Sequence, residues 1–202
     1  MRPVIIFDFG GVLLDWDPRY LYRKLFDGDE AGMERFLADV DFYAWNLRQD
    51  EGRTFAEGVA AGCAAFPQYC ELLRAYDERW AESISGPLWG TVEILERLKA
   101  DGYALFGLSN WSAEKFDLVR PTYAFLGYFE KVVLSGVVKI LKPDPRIFQA
   151  TLDAIGYTAG ECLLIDDSQK NVEAARGMGF QTIHFQSPPQ LRGALAAFGV
   201  LV

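Results

Sequence analysis

The sequence predicts an α/β protein: a doubly wound parallel sheet with a block of helices inserted after its first strand. Three observations carry this reading. From about Pro87 onward, short apolar strand-like runs alternate with helical stretches, the pattern of βαβ units. One further run, Val4 to Phe7, stands by itself near the start. Between about Pro18 and Ser85 strand signals vanish and helical segments follow one another.

Val4-Ile5-Ile6-Phe7 has no polar position, which fits a strand covered on both faces. Helices are expected over 19–26, 30–47, 54–65 and 68–84, punctuated by Gly28, Gly52 and Pro67. A helix over 92–100 stops at Gly102, and a strand over 103–108 follows. A helical stretch over 113–126 precedes a strand over 131–134. The helix over 146–155 stops at Gly156, the strand over 162–165 leads to a helix over 171–178 stopped by Gly179, and a strand over 181–185 and a helix over 189–197 close the pattern. The isolated first strand belongs in the same sheet. Segments 1–16 and 86–202 therefore read as the core domain and 17–85 as a helical cap.

Composition excludes several functions. Of 202 residues 50% are hydrophobic and 24% charged, the opposite of a disordered chain. A formal charge of −8 argues against nucleic acid and against an anionic membrane surface, both of which need a basic face. No apolar run approaches the ~20 residues that span a bilayer, and no signal-peptide pattern opens the chain. Cys63, Cys70 and Cys162 are odd in number and lack metal-knuckle spacing, so neither a disulfide framework nor a zinc site is expected. The expectation is a soluble cytoplasmic protein. Its oligomeric state is left open.

In a doubly wound sheet ligands bind beyond the carboxyl ends of the strands. The first strand delivers Asp8 and then Phe9-Gly10-Gly11. The strand over 103–108 delivers Ser109 and Asn110, the segment after 131–134 runs to Lys142-Pro143, and the strand over 162–165 delivers Asp166, Asp167 and Ser168. Each residue alone reads as a helix cap or turn former. Together they bring three carboxylates to one sheet edge, where they repel unless a cation lies among them. Oxygen-only donors favour Mg²⁺ over zinc. A carboxylate nucleophile, a hard metal, a lysine and small hydrogen-bond donors suit phosphoryl transfer, with amides of the Phe9–Val12 turn as a further anion cradle.

These residues resemble the four motifs of the haloacid dehalogenase superfamily, in the branch with a helical cap after the first motif. Ile5-Ile6-Phe7-Asp8-Phe9-Gly10-Gly11-Val12-Leu13 is similar to motif one, Leu108-Ser109-Asn110 to motif two, Lys142-Pro143 to motif three, and Leu163 through Asn171 to motif four. The resemblance spans essentially the whole chain and implies a Rossmann-like core. It implies that Asp8 is the nucleophile and a Mg²⁺ ligand, with the Gly10 carbonyl, Asp167 and Asp166 at the same metal. It further implies that Ser109, Asn110 and Lys142 bind the phosphoryl group and that Asn171 orders the motif-four loop. The expected substrate is a small phosphorylated metabolite, a phosphomonoester such as a sugar phosphate. Two alternatives stand beside it: a 2-haloacid dehalogenase using the same Asp8, and a phosphate-ligand-binding pseudo-enzyme without turnover.

One position departs from the resemblance. Most phosphatases of this superfamily carry a second Asp two residues after the nucleophile as general acid and base, and here that residue is Gly10. Asp15, Asp17 or a cap residue is left to supply the proton, although Asp15 and Asp17 read more simply as the start of the helix at Pro18. Asp8-Phe9-Gly10 matches a kinase tripeptide by coincidence, there being no HRD sequence. His184 reads as a core or edge residue. The aromatics at 42, 43, 45 and 116–129 read as packing, and Arg19, Arg23, Arg48 and Arg53 as mostly solvated helix charges.

Overall fold

The computed structural model describes residues 2–201, so the outermost positions of the expected core, 1 and 202, lie outside it. The chain runs β1 (Val4–Phe7), β2 (Leu14–Trp16), α1 (Arg19–Leu25), α2 (Glu30–Asp39), α3 (Phe42–Asp50), α4 (Phe55–Ala65), α5 (Cys70–Glu78), β3 (Ile84–Pro87) and α6 (Trp89–Ala100). It continues through β4 (Leu105–Ser109), α7 (Ala113–Val119), β5 (Lys131–Leu134), α8 (Ser135–Val138), α9 (Pro145–Ile155), β6 (Cys162–Asp166), α10 (Gln169–Gly177), β7 (Gln181–His184) and α11 (Pro188–Ala197). Five strands form one parallel sheet in the order β5-β4-β1-β6-β7. This is the doubly wound α/β core that the sequence predicts.

Strand side chains alternate between faces, so each run supplies two half-cores. Ile5, Phe7, Leu105, Leu163, Ile165 and Ile183 pack on one face. Val4, Ile6, Phe106, Leu108, Val133 and Leu164 pack on the other, with Ile147, Phe148 and Phe180 from the covering elements. The first cluster runs on without a break through Val12–Leu14 to Leu21, Tyr22, Phe36, Phe42 and Tyr76. The helices between β2 and β3 thus share one apolar cluster with the sheet.

Several expectations change. The helix expected over 30–47 is two helices, because Asp41 adopts φ 44° and turns the chain, a conformation that Asp tolerates better than most residues. The turn buries Phe42 against Tyr22 and Tyr76. The segment expected as one helix over 68–84 is α5 flanked by short 3₁₀ turns, ending in β3. The helix expected over 113–126 ends at Val119, where Pro121 follows. β2 and β3 pair antiparallel at the two crossings between sheet and helices, and both are too short for periodicity to reveal. Cys63 and Cys70 form a disulfide, against expectation. The turn around Pro67 folds α5 back on α4 and brings their Cα atoms to 4.4 Å, which spacing alone does not disclose. No described helix is long and apolar enough to cross a membrane.

Candidate active site

The sheet order puts β1 at the centre between β4 and β6, so the winding reverses beside it and opens a crevice at the strand ends. Asp8 follows β1, Ser109 ends β4 and Asp166 ends β6. The first residue past β1 is held tightly. The Asp8 amide donates to Ile165 O at 2.9 Å, and its Oδ1 accepts from the Phe9 amide (2.7 Å) and from Ser109 Oγ (2.8 Å). Phe9 anchors the turn: its ring packs on Phe116 and Phe129 and lies over Gly107, where a Cβ would come within 2.4 Å of Cζ.

Lys142 Nζ bridges Asp8 Oδ2 at 2.8 Å and Asp166 Oδ2 at 2.7 Å, and donates its third hydrogen to Leu108 O at 3.0 Å. The reach is set by Asn110, whose Oδ1 accepts the Lys142 amide (2.8 Å) while its Nδ2 donates to the Lys142 carbonyl (3.0 Å). Asn110 therefore braces the lysine backbone with both ends of its amide. Asp166 is fully buried, and its Oδ1 accepts from the Ser168 amide and from Asn171 Nδ2, each at 2.9 Å. Asp167 is exposed, and its carbonyl is held from β7 by His184 Nε2 at 2.9 Å. His184 is thus an edge histidine that steadies the acidic loop.

Asp8, Asp166 and Asp167 each place one carboxylate oxygen within 4.8 Å of the others. Three negative charges there face the single ammonium of Lys142. Burial pushes the Asp8 carboxyl up to about 7 against the pull of Lys142, with Asp166 adding to the rise, and burial and then Asp166 raise Asp167. The surplus of two charges, the all-oxygen donor set and the cradle at Gly11 fit a divalent cation. Gly11 has φ +70°, and a Cβ there would stand 2.2 Å from Asp167 Oδ2, so only glycine lets that carboxylate approach.

The cleft above these groups has a volume of about 390 Å³ and is bordered on the helical side by Trp16, Asp17 and Tyr43. Behind Gly10, Ser109 and Asn110 it deepens into a pocket of about 80 Å³ lined by Trp16, Asn46, Asp50, Trp80 and Trp111. All the predicted residues meet at this cleft: Asp8, Gly10, Ser109, Asn110, Lys142, Asp167 and Asn171 line it, with Asp166 beneath Lys142. The expected amide cradle is mostly spent inside the turn, since the Phe9, Gly11 and Val12 amides bond to Asp8 Oδ1, Leu14 O and Phe9 O.

Asp15 accepts from Tyr20 (2.7 Å) and Ser85 (2.6 Å), and Asp17 accepts the Arg19 amide (2.8 Å) at the start of α1. Both serve the helix start and its neighbouring strand. Tyr43 is not a packing residue alone: its ring packs edge to face on Trp16 and Phe42, yet it is half exposed at the cleft and accepts from Arg19 Nη1 at 2.6 Å. Arg53 is not a solvated charge either, donating to Gln49 Oε1 and to the Trp45 carbonyl. The inner pocket escapes the sequence reading because Asn46 and Asp50 sit in an ordinary helix, and only their one-turn spacing hints at a shared face.

A family model for haloacid dehalogenase-like hydrolases matches residues 3–179. A phosphoglycolate phosphatase of Mesorhizobium japonicum is 25% identical over 197 residues, covering 90% of this chain and 82% of that protein. A sesquiterpene phosphatase of Aspergillus oryzae is 29% identical, with 89% and 87% covered. An (S)-2-haloacid dehalogenase of Burkholderia cepacia is 29% identical, but over 48% of this chain and 44% of its own. Among solved structures, a haloacid dehalogenase family enzyme of Bacteroides thetaiotaomicron in complex with magnesium and inorganic phosphate superposes with a TM-score of 0.71 at 26% identity, covering 93% of this chain and 96% of that one.

Proposed function

The chain belongs to the haloacid dehalogenase-like hydrolases, and on that footing we propose that it is a Mg²⁺-dependent phosphatase of small phosphomonoesters, sugar phosphates among them, working through an aspartyl-phosphate on Asp8. The observation that carries this reading is the Asp8 carboxylate, held by Ser109 and Lys142 beside a three-carboxylate cluster. Asp8 is pinned through Oδ1 and its rotation is stopped, which presents the carboxylate to phosphorus in a defined direction. Lys142 and Ser109 lie where they can move from Asp8 to the phosphoryl oxygens as charge shifts from carboxylate to phosphate. Asn110 acts through Lys142 by fixing where its backbone lies.

Asp8, the Gly10 carbonyl and Asp167 would hold Mg²⁺, with Asp166, its oxygens committed to Lys142, Ser168 and Asn171, orienting the set. When bound, the ion neutralises the phosphate and the approaching carboxylate. The acidic surplus favours this over dehalogenation, which attacks carbon and has no use for a cation among its carboxylates. The helical block 17–85 then acts as a cap that shields the cleft from water and selects the substrate.

Purified protein is expected to release phosphate from p-nitrophenyl phosphate with Mg²⁺, to stop in EDTA, and to fall to background as Asp8→Asn. Activity surviving that substitution, or chloride release from 2-haloacids in EDTA, would overturn the reading. Stabilisation by phosphate esters without turnover would replace it with a binding protein.

A further inference from the structure

The inner pocket of the cleft contains a carboxyl group with no part in holding the metal or the phosphoryl group. Asp50 ends α3, and its carboxylate is turned away from bulk water: Oδ1 accepts the Ser112 amide and Oδ2 accepts Asn46 Nδ2, each at 3.0 Å. Among the described ion pairs none reaches it, whereas Asp17, the other carboxylate on the helical side of the cleft, is paired with Arg19. With no cation to favour the anion, burial pushes the Asp50 carboxyl up to about 8, so it holds its proton at neutral pH. The titratable group nearby is the buried Tyr76 phenol, which carries no charge at neutral pH.

The surroundings of Asp50 point to a ligand. Asn46 and Trp111, both more than nine-tenths buried, line the same pocket with Asn46 Oδ1 and Trp111 Nε1 lacking a partner. Buried polar atoms are rarely left unpaired unless a bound molecule completes them. The pocket has room for only a few heavy atoms, and it opens on Gly10, Ser109 and Asn110, the residues it shares with the cleft over Asp8. A monoester whose phosphorus faced Asp8 would find this space open to its leaving group.

Resting on the phosphatase reading, we infer that Asp50 is the general acid and base of the reaction. In the first half-reaction an Asp8 oxygen bonds to phosphorus and the bond from phosphorus to the ester oxygen breaks, its electron pair staying on that oxygen. Asp50 donates its proton there, the alcohol leaves, and Asp50 becomes a carboxylate. In the second half-reaction Asp50 takes a proton from water as the water oxygen bonds to phosphorus and the bond to Asp8 breaks. Free phosphate leaves and both residues return to their starting states. The side chain comes from a helix remote in sequence from the nucleophile. Gly10, two residues after the nucleophile, has no side chain, and a Cβ there would meet nothing within 4 Å.

The test compares esters that need a leaving-group proton with one that does not. Asp50→Asn keeps an acceptor for the Ser112 amide and is expected to lower kcat/KM, which reports the first half-reaction, on phosphoglycolate, glycerol phosphate and propyl phosphate by about 10²-fold or more. On p-nitrophenyl phosphate kcat/KM is expected to change by no more than about threefold, while its kcat falls with the loss of the base. Adding Gly10→Asp to that variant places a carboxyl at the same ester oxygen and is expected to restore part of the alkyl activity. Equal loss of kcat/KM on both ester types, with no recovery in the double variant, makes Asp50 an anchor of the helix and overturns the inference. So does wild-type protein that cleaves p-nitrophenyl phosphate but no alkyl ester. Wild-type protein that cleaves neither overturns the phosphatase reading instead. Should Asp50→Asn fail to fold, Asp50→Glu, which keeps the carboxyl and moves it by a methylene, is expected to show the same split between ester types, and equal losses there again overturn it.

Discussion

Two acidic sites lie in adjoining parts of one cleft, and the same residue type is held differently in each. On the sheet side, Asp8 and Asp166 share Lys142 and are met by Ser109, Ser168 and Asn171. On the helical side, Asp50 meets only an amide N–H and an asparagine. Burial raises both Asp8 and Asp50. The lysine opposes the rise at Asp8, whereas at Asp50 only the Ser112 amide opposes it. Burial sets how costly a charge is, and the partner decides whether the charge is kept.

The comparison breaks first at Lys142. Lys142→Met removes the ammonium that pairs with both Asp8 and Asp166 and leaves them buried without it, which is expected to cost about 3–5 kcal/mol in urea unfolding. Asp50→Asn added to that variant should leave the loss unchanged, since Asp50 shares no partner with Lys142. A non-additive pair would show the two sites to be one network. Next in size is Gly11→Ala, which strains a backbone at φ +70° and pushes Asp167 from its place. Calorimetry is expected to show Mg²⁺ affinity weaker by about 10–100-fold, together with a stability cost of about 1–2 kcal/mol.

A third prediction sharpens the helical side. The Asp50 carboxyl rises from an ordinary 3.8 to about 8 on folding, so between those values the unfolded chain has released a proton that the folded chain retains. Stability from this group is complete below about pH 4 and declines as the pH rises toward 8. Asparagine does not titrate, so the Tm of Asp50→Asn relative to wild type is expected to climb steadily over that window. A difference independent of pH would mean that Asp50 is ionised in the fold.

The sheet side was legible in the sequence because its residues follow strand ends, and strand ends of a parallel sheet converge by construction. Asp8, Ser109, Lys142 and the pair Asp166-Asp167 needed only the alternation of strands and helices to be placed together. Their division of labour was not legible. That Asn110 braces Lys142, and that Asp166 is committed to three donors while Asp167 stays open, depends on rotamers and on register between strands. The helical side was read poorly for a related reason. Asp50, Asn46 and Tyr43 lie on helices where polar residues ordinarily face water, and only docking against Trp111 and Ser112 turns some of them inward.

The sequence by itself determined the class of fold, the alternation of the main strands and helices of the core and which residues gather at the carboxyl edge, because periodicity and strand-end polarity are local properties of the chain. The tertiary structure decided the split of the helical block at Asp41, the β2–β3 pairing, the Cys63–Cys70 link and the pocket around Asp50. Each of these depends on segments far apart in the chain meeting at ångström distances, and on whether a buried charge finds a cation there. No window of sequence carries that information.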